Sequence, residues 1–145
     1  MSGLYERDFY GWANEQAALL RTGRLSAADI ENIAEEIESM GRSEKRELVN
    51  RLAVLLAHLL KWQFQPERRG KSWRLTIREQ RREVTDVLGD NPSLRSRLSE
   101  ILVDAYSKAL LIAERETDLA DDTFPTECPW CFDQVVDDGF WPSAE

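Results

Sequence analysis

Residues 48–64 read LVNRLAVLLAHLLKWQF and contain the longest apolar run of the chain. Apolar side chains recur every three or four residues along two adjoining stripes, which cover more than half of the circumference of a helix. A helix with so wide an apolar surface belongs at the centre of a helical bundle. Pro66 ends it, because proline lacks an amide donor and disfavours helical geometry at Gln65. The remaining narrow polar stripe consists of Asn50, Arg51, His58, Lys61 and Gln65.

Helical spacing of apolar residues continues through most of the chain, and no stretch alternates with period two for long enough to predict a strand. The sequence therefore predicts an all-α fold, a compact bundle of about five helices plus a short C-terminal helix. The predicted helices cover about residues 9–22, 27–40, 43–65, 72–88 and 92–117, and the last begins at about residue 128.

Capping residues and glycines set the predicted helix boundaries. Asp8 is the expected N-cap of the first helix, and Gly23 its left-handed stop. Gly41 is expected to end or bend the second helix, and Gly89 to stop the fourth. Asn91 and Pro92 predict the start of the fifth helix, since proline is tolerated at the first helical position.

Length and composition predict one domain, residues 1–145, because a chain of 145 residues can bury a sufficient core. The longest apolar run, residues 52–60, is far shorter than the roughly 20 residues that cross a bilayer, so no membrane partner is expected. The N-terminal residues lack the pattern of a signal peptide, and the two cysteines are too few for a disulfide framework. A cytoplasmic protein without a cofactor is the expectation.

The segment from His58 to Arg82 is basic in a chain of net charge −8. It holds eight cationic side chains and two carboxylates, a local charge of +6, together with the single histidine and two of the five tryptophans. Such a segment predicts recognition of an acidic ligand. The predicted ligand-binding residues are Arg68, Arg69, Lys71, Arg74, Trp62, Trp73 and His58.

Part of this positive charge is expected to stabilise the fold instead of binding a ligand. Arg78 and Arg81 lie on one side of the predicted fourth helix, and the second helix carries the complementary acids. Charged residues at helical spacing usually form ion pairs or a solvated face, so these two arginines are predicted structural partners of the second helix. Its acids are Asp29, Glu31, Glu35, Glu36 and Glu38.

Two short motifs have the residue spacing of reactive or phosphate-binding sites, but the elements predicted around them are not those that such sites require. Cys128 and Cys131 have the spacing of a redox dithiol, yet no strand precedes them, and Cys128 and Pro129 are better interpreted as the start of a helix. Gly70-Lys71-Ser72 resembles the end of a phosphate loop, but position 65 is not glycine and a helix comes before it.

An enzyme is the rival interpretation, with Glu36 or Glu38 and His58 as an acid-base pair. It requires a carboxylate within hydrogen-bond reach of the imidazole. No metal is predicted, because di-iron bundles need paired Glu-x-x-His motifs and the chain contains none.

The order of motifs along the chain resembles the bacterial family called domain of unknown function 29. The matching segments are YERDFYGW at 5–12, AEEIESMG at 34–41, HLLKWQFQP at 58–66, SW at 72–73, IREQ at 77–80, FP at 124–125, CP at 128–129 and FWP at 140–142. The resemblance implies a compact helical domain without an assigned reaction. It also implies a shared polar signature, which forms either a buried network or a site: Glu35, Glu36, Glu38, His58, Lys61, Trp62, Gln63, Gln65, Pro66, Trp73, Arg78, Glu79 and Gln80.

The sequence as a whole favours a non-enzymatic helical binding or adaptor module. Its expected partner is acidic, either a protein segment or a phosphate-bearing ligand, with nucleic acid less favoured. A purely structural or oligomerisation protein is the second alternative. The apolar tail at residues 140–142 is expected to dock against the bundle or against a second copy in a homodimer.

Overall fold

The computed structural model describes residues 3–143, and within them the chain is helical without any β-strand. The predicted all-α fold class is confirmed. The α-helices of this range are α1 (Leu4–Arg7), α2 (Phe9–Arg21), α3 (Ile30–Phe64), α4 (Lys71–Asp90), α5 (Leu98–Glu116) and α6 (Phe132–Val136). Short 3-10 turns lie between them, at Leu25–Ala27, Pro66–Arg68, Pro92–Arg97 and Asp121–Thr123.

Helix α3 is a single helix of 35 residues that continues through Gly41. The prediction of two separate helices, 27–40 and 43–65, is therefore wrong. A glycine in a helix interior costs only about 1 kcal/mol relative to alanine, and the residues on both sides of Gly41 are mostly strong helix formers. Without a proline, one glycine is too weak to interrupt such a segment.

The chain divides into two compact units, Met1–Ser43 and Glu44–Glu145. In the first unit, polar side chains of α2 hold the start of α3. The Trp12 indole donates to Asp29 Oδ2 at 3.0 Å, and the Asp29 amide donates to Gln16 Oε1 at 2.7 Å. The single domain expected for residues 1–145 stays a prediction.

The core of the second unit is built around the C-terminal half of α3. Its fully buried apolar side chains are Leu48, Leu52, Leu55, Leu56, Ala57, Leu59 and Leu60. Ile77 and Val84 of α4 and Ile101 of α5 are equally buried against this surface. Lys61 and Gln65, which the sequence placed on a polar stripe, are buried as well. The buried surface along α3 and just beyond its end is thus wider than the positions of the apolar residues indicate.

Several helix ends confirm the capping predictions and others correct them. Asp8 Oδ1 accepts a hydrogen bond from the Gly11 amide at 2.9 Å, and Gly23 has a left-handed φ of 73°. Gly89 does not stop α4, which ends at Asp90. Pro92 begins a 3-10 turn instead of the fifth helix, which starts six residues later at Leu98.

The last helix begins later than predicted, at Phe132 and not at Cys128. Cys131 is its N-cap, and its amide donates to Gln134 Oε1 at 3.0 Å in a reciprocal capping box. This box fixes the start of α6 because it satisfies amide groups of the first turn that would otherwise lack partners.

The apolar tail packs against its own chain. The ring of Trp141 lies 4.7 Å from that of Trp62, and Pro142 is buried. Among residues 3–143, no helix combines the length and apolarity needed to span a bilayer.

Candidate functional site

The predicted basic site lies where the chain turns from α3 into α4. Arg68, Lys71 and Arg74 have exposed side chains, and none of them forms an ion pair with another described residue. These three cations are therefore available to a ligand. The structure also shows that α3 and a 3-10 turn precede Gly70, so the strand required by a phosphate loop is missing from this part of the chain.

Arg69 holds the C-terminal tail. Its Nε donates to the Trp62 carbonyl at 2.6 Å, and Nη2 donates to the Pro142 carbonyl at 3.4 Å. Its guanidinium carbon lies 5.1 Å from the ring centroid of Trp62, whose ring also contacts Trp141. Trp62 and Arg69 are thus engaged within the fold, and the open ligand platform predicted for Trp62 is largely covered.

Trp73 lies beside an ion pair that the sequence did not predict, between the buried Lys61 and the partly exposed Glu116. Lys61 Nζ lies 2.6 Å from Glu116 Oε1 on α5 and 5.3 Å from the centroid of the Trp73 ring. The hydrogen bond from Lys61 lowers the pKa of the Glu116 carboxyl, and burial opposes that shift. Trp73 and Glu116 also line a small cavity of about 150 Å³ together with Arg68 and Arg115.

His58 is half-buried, and its Nδ1 lies 2.9 Å from the Val54 carbonyl oxygen. Burial lowers the pKa of the imidazole, which favours the neutral form. Within residues 44–143, no carboxylate forms a hydrogen bond with His58. The second unit therefore does not contain the carboxylate partner that an acid-base pair requires.

Glu36 and Glu38, the carboxylates of the rival enzyme interpretation, belong to the first unit. Glu36 accepts a hydrogen bond from the Tyr5 hydroxyl, which raises the pKa of Tyr5 to about 12. Glu38 is exposed. Among residues 3–143, no group of three histidine, cysteine, aspartate or glutamate side chains could hold a metal ion.

Arg81 is buried rather than paired with an acid of the second predicted helix. Its Nε donates to the Val135 carbonyl at 2.8 Å and its Nη2 to the Phe140 carbonyl at 2.7 Å. The prediction of an ion pair for Arg81 is therefore wrong, although its structural role is correct. Burial lowers the pKa of Arg81, while Asp138 and Asp137 act in the opposite direction.

Arg78 is exposed, and none of the ion pairs among the described residues includes it, which agrees with the solvated face that the sequence left open beside an ion pair. Glu35, one of the acids assigned to it, pairs instead with Arg42 of α3 at 3.0 Å. Residues seven positions apart lie two helical turns apart on one side of a helix, so long side chains can join them.

The burial of Arg81 could have been read from the sequence. Ile77, Arg81, Val84 and Leu88 recur at intervals of four, three and four residues, and all four side chains are buried. This spacing places Arg81 on the apolar stripe of α4. Arg74, Arg78 and Arg81 also recur at helical spacing, so Arg81 was grouped by sequence with two exposed arginines and not with the apolar residues.

Arg78, Arg81 and Arg82 line a cavity of about 500 Å³ between α4 and the C-terminal segment. Its other lining residues are Thr85, Asp86, Val136, Asp138 and Trp141. The Nη1 atom of Arg81 is buried without a hydrogen-bond partner among the described residues. This cavity was not predicted, because it exists only once the tail has folded onto α4.

Cys128 and Cys131 are both free thiols. Cys128 is half-buried, and its Sγ lies 3.3 Å from the Trp130 carbonyl oxygen. Burial raises the pKa of the Cys128 thiol, whereas a redox dithiol needs a lowered value. The structure thus gives no support to dithiol chemistry here.

Comparison with known protein families confirms the family resemblance that the order of motifs indicated. Neither the curated proteins nor the solved structures contain a match to this chain. The sequence model of the family described as Domain of unknown function DUF29 matches residues 4–141. Because the match includes both helical units and the tail, the chain belongs to the DUF29 family.

Proposed function

We propose that this protein is a non-enzymatic binding module that recognises an acidic protein segment. The binding surface is a basic face, defined as Arg68, Lys71, Arg74, Arg78 and Arg82. Its five side chains are exposed, and none of them forms an ion pair within residues 3–143. This concentration of unpaired cations in a chain of net charge −8 is the observation that carries the proposal.

The spacing of the basic face suits an extended partner. Lys71, Arg74, Arg78 and Arg82 follow one side of α4, and eleven residues of helix span about 16 Å. Acids that lie more than a Debye length of about 8 Å from this face act on it only weakly, because salt screens charges at that distance.

A protein segment fits this face better than a nucleic acid. Leu75 is 47% exposed between Arg74 and Arg78, so an apolar side chain of the partner has a contact beside the cations. Glu79 and Glu83 line the same groove as Arg78 and Arg82. These acids oppose a phosphate backbone, which carries negative charge at every nucleotide, whereas a peptide can space its carboxylates to avoid them.

The test measures binding of a fluorescent peptide of alternating glutamate and leucine by anisotropy at low salt, with a single-stranded oligonucleotide as the competing class. We expect the peptide to bind and the Lys71→Ala/Arg74→Ala variant to weaken it about 10-fold, since each exposed charge contributes up to about 1 kcal/mol. Arg69 is left intact because it holds the tail.

The matched control is Arg21→Ala/Arg24→Ala, which removes the same charge from two exposed residues of the first unit. We expect less than a 2-fold change. Absence of peptide binding, or an equal loss in both variants, would overturn the proposal. Binding of the oligonucleotide alone would assign the basic face to nucleic acid instead.

A homodimer formed by the first unit is a second candidate function. Among residues 3–43, only Trp12 and Gln16 are buried. The large apolar side chains that remain exposed in this unit are Phe9, Tyr10, Leu20, Leu25, Ile30, Ile37 and Met40. An apolar surface of this extent favours a protein contact, and the tail, which packs on its own chain, is a less suitable dimer contact than the sequence indicated.

Sedimentation velocity tests the dimer. We expect the wild type to dimerise and Ile37→Glu/Met40→Glu to sediment as a monomer. Val103→Glu/Leu111→Glu, which alters two exposed apolar residues of α5, is the control and should remain dimeric. A monomeric wild type at all concentrations would contradict this candidate.

The cytoplasm is the compartment that we propose for this protein. The support is chemical, because two unpaired thiols, one of them on the exposed Cys131, persist most readily in a reducing compartment. Labelling of both thiols in freshly lysed cells, without prior reduction, tests this assignment.

A further inference from the structure

The geometry points to a second binding site, for a small ligand that carries a phosphate or carboxylate group, in the cavity between α4 and the C-terminal segment. This site goes beyond the proposed recognition of a protein segment, because its occupant is a small oxyanion inside a cavity of about 500 Å³. Two observations support it: the Arg81 guanidinium is buried with one donor unsatisfied, and the other charges of the lining balance, so that this guanidinium is its one excess positive charge.

The buried guanidinium is that of Arg81, which is 1% exposed. Nε and Nη2 donate to the carbonyls of Val135 and Phe140, but Nη1 has no partner among the described residues. A buried donor without a partner costs about 1–3 kcal/mol, and more when the group is charged, so native proteins rarely leave one empty. An oxygen of a bound anion would satisfy it.

The charge of the lining also favours an anion. Arg78, Arg81 and Arg82 face Asp86 and Asp138, which leaves one excess positive charge. Neither aspartate forms an ion pair with these arginines, so the cations are not neutralised by contact. A carboxylate, with one negative charge, matches this balance directly, whereas a phosphate monoester is close to doubly charged at pH 7 and brings more negative charge toward the two aspartates.

Trp141 and Val136 form the apolar part of the wall. The ring of Trp141 covers Arg81, with the guanidinium carbon 5.3 Å from the ring centroid. An anion bound at Nη1 therefore lies near this indole, and a flat ligand body can pack against the ring where it lines the cavity. The site thus favours an aromatic or apolar oxyanion over the bare ion, and it makes Trp141 a reporter of binding.

The experiment titrates the full chain with benzoate, phenyl phosphate and inorganic phosphate at constant ionic strength, with sodium chloride as the reference. Binding is followed through the indole N–H resonance of Trp141, which a Trp141→Phe variant assigns. We expect saturable shifts for at least one aromatic oxyanion below about 10 mM, a range that detects a Kd of 1 mM.

Arg78→Gln/Arg82→Gln is the site variant, and it should fold because both side chains are exposed. We expect it to weaken binding at least 10-fold, since hydrogen bonds to charged groups contribute about 1.5–3 kcal/mol each. Arg95→Gln, an exposed arginine outside the cavity, is the control and should change binding less than 2-fold. A carboxylate and a phosphate are distinguished by which of the two aromatic probes binds more tightly.

Lys71→Ala/Arg74→Ala separates this inference from the proposed peptide recognition. It removes cations of the basic face that do not line the cavity, so it should leave binding of the small oxyanion within 2-fold. Absence of saturable binding by all three probes would overturn the site. Saturable binding that survives Arg78→Gln/Arg82→Gln unchanged would overturn its location.

Discussion

Replacing Glu116 by alanine will leave the Lys61 ammonium buried without its counter-ion. Lys61 is 5% exposed, and its Nζ lies 2.6 Å from Glu116 Oε1. Removing one partner of a buried ion pair costs about 3–5 kcal/mol, whereas an exposed pair contributes about 0–1 kcal/mol. Because the Glu116 side chain is 47% exposed, water already weakens the pair, and we expect a loss of about 2 kcal/mol.

Urea denaturation at neutral pH, followed by circular dichroism, measures this loss as a lower midpoint with an unchanged slope. Glu100→Ala is the matched control. Glu100 also lies on α5, its side chain is 49% exposed, and it accepts from Lys45 at 2.9 Å, but the Lys45 side chain is 38% exposed. We expect Glu100→Ala to cost less than about 1 kcal/mol. The helix dipole favours Glu100 near the N-terminus and opposes Glu116 at the C-terminus, so it works against the expected difference.

A double-mutant cycle completes the experiment. Lys61→Met removes the buried charge but keeps an apolar stem, so the Lys61→Met/Glu116→Ala variant should be at least about 1 kcal/mol more stable than Glu116→Ala alone. Equal losses in Glu116→Ala and Glu100→Ala, or a double variant no more stable than Glu116→Ala, would refute the reasoning that burial of Lys61 sets the cost.

Three further predictions follow from single residues. Burial lowers the pKa of His58, so the unfolded chain binds a proton that the native chain does not. Stability should therefore fall as the pH falls below about 6.5, by at most about 1.4 kcal/mol per unit from this group, and His58→Gln should flatten that slope in urea titrations. Iodoacetamide should alkylate the exposed Cys131 several-fold faster than Cys128, whose pKa burial raises, as measured by mass spectrometry; equal rates would contradict the assigned burial. Gly41→Ala should raise stability by about 0.5–1 kcal/mol, because an added methyl group meets no atom within 4 Å, whereas Gly23→Ala should lower it by about 1 kcal/mol, because its φ is 73°. Thermal denaturation checks both signs.

Much of the fold could be predicted because helical periodicity is a local property. The two apolar stripes of residues 48–64 predicted a helix with a wide buried surface, and Asp8 and Gly23 marked the ends of α2 correctly. Gly41 was misjudged because its effect depends on the summed preference of its neighbours, which exceeds the cost of one glycine. The start of α6 was missed because a reciprocal capping box, and not the proline, determines it.

The candidate site was less predictable, because it depends on which cations the tertiary structure engages. Arg68, Arg69 and Lys71 are alike in sequence, yet Arg69 reaches the Pro142 carbonyl while the other two remain exposed. Arg78 and Arg81 are similarly placed by charge, yet only Arg81 is buried. The first difference depends on where the distant tail packs, whereas the second was already indicated by the position of Arg81 on the apolar stripe of α4.

The sequence alone determined the all-α fold, the family and the concentration of basic residues around the end of α3, since each of these follows from residue types and short-range spacing. Only the tertiary structure decided that Lys61 is buried against Glu116, and that Arg81 lies under Trp141 with one donor unsatisfied. The physical reason is that burial and pairing of a charge depend on residues more than fifty positions away. Helical periodicity carries no information about contacts at that separation.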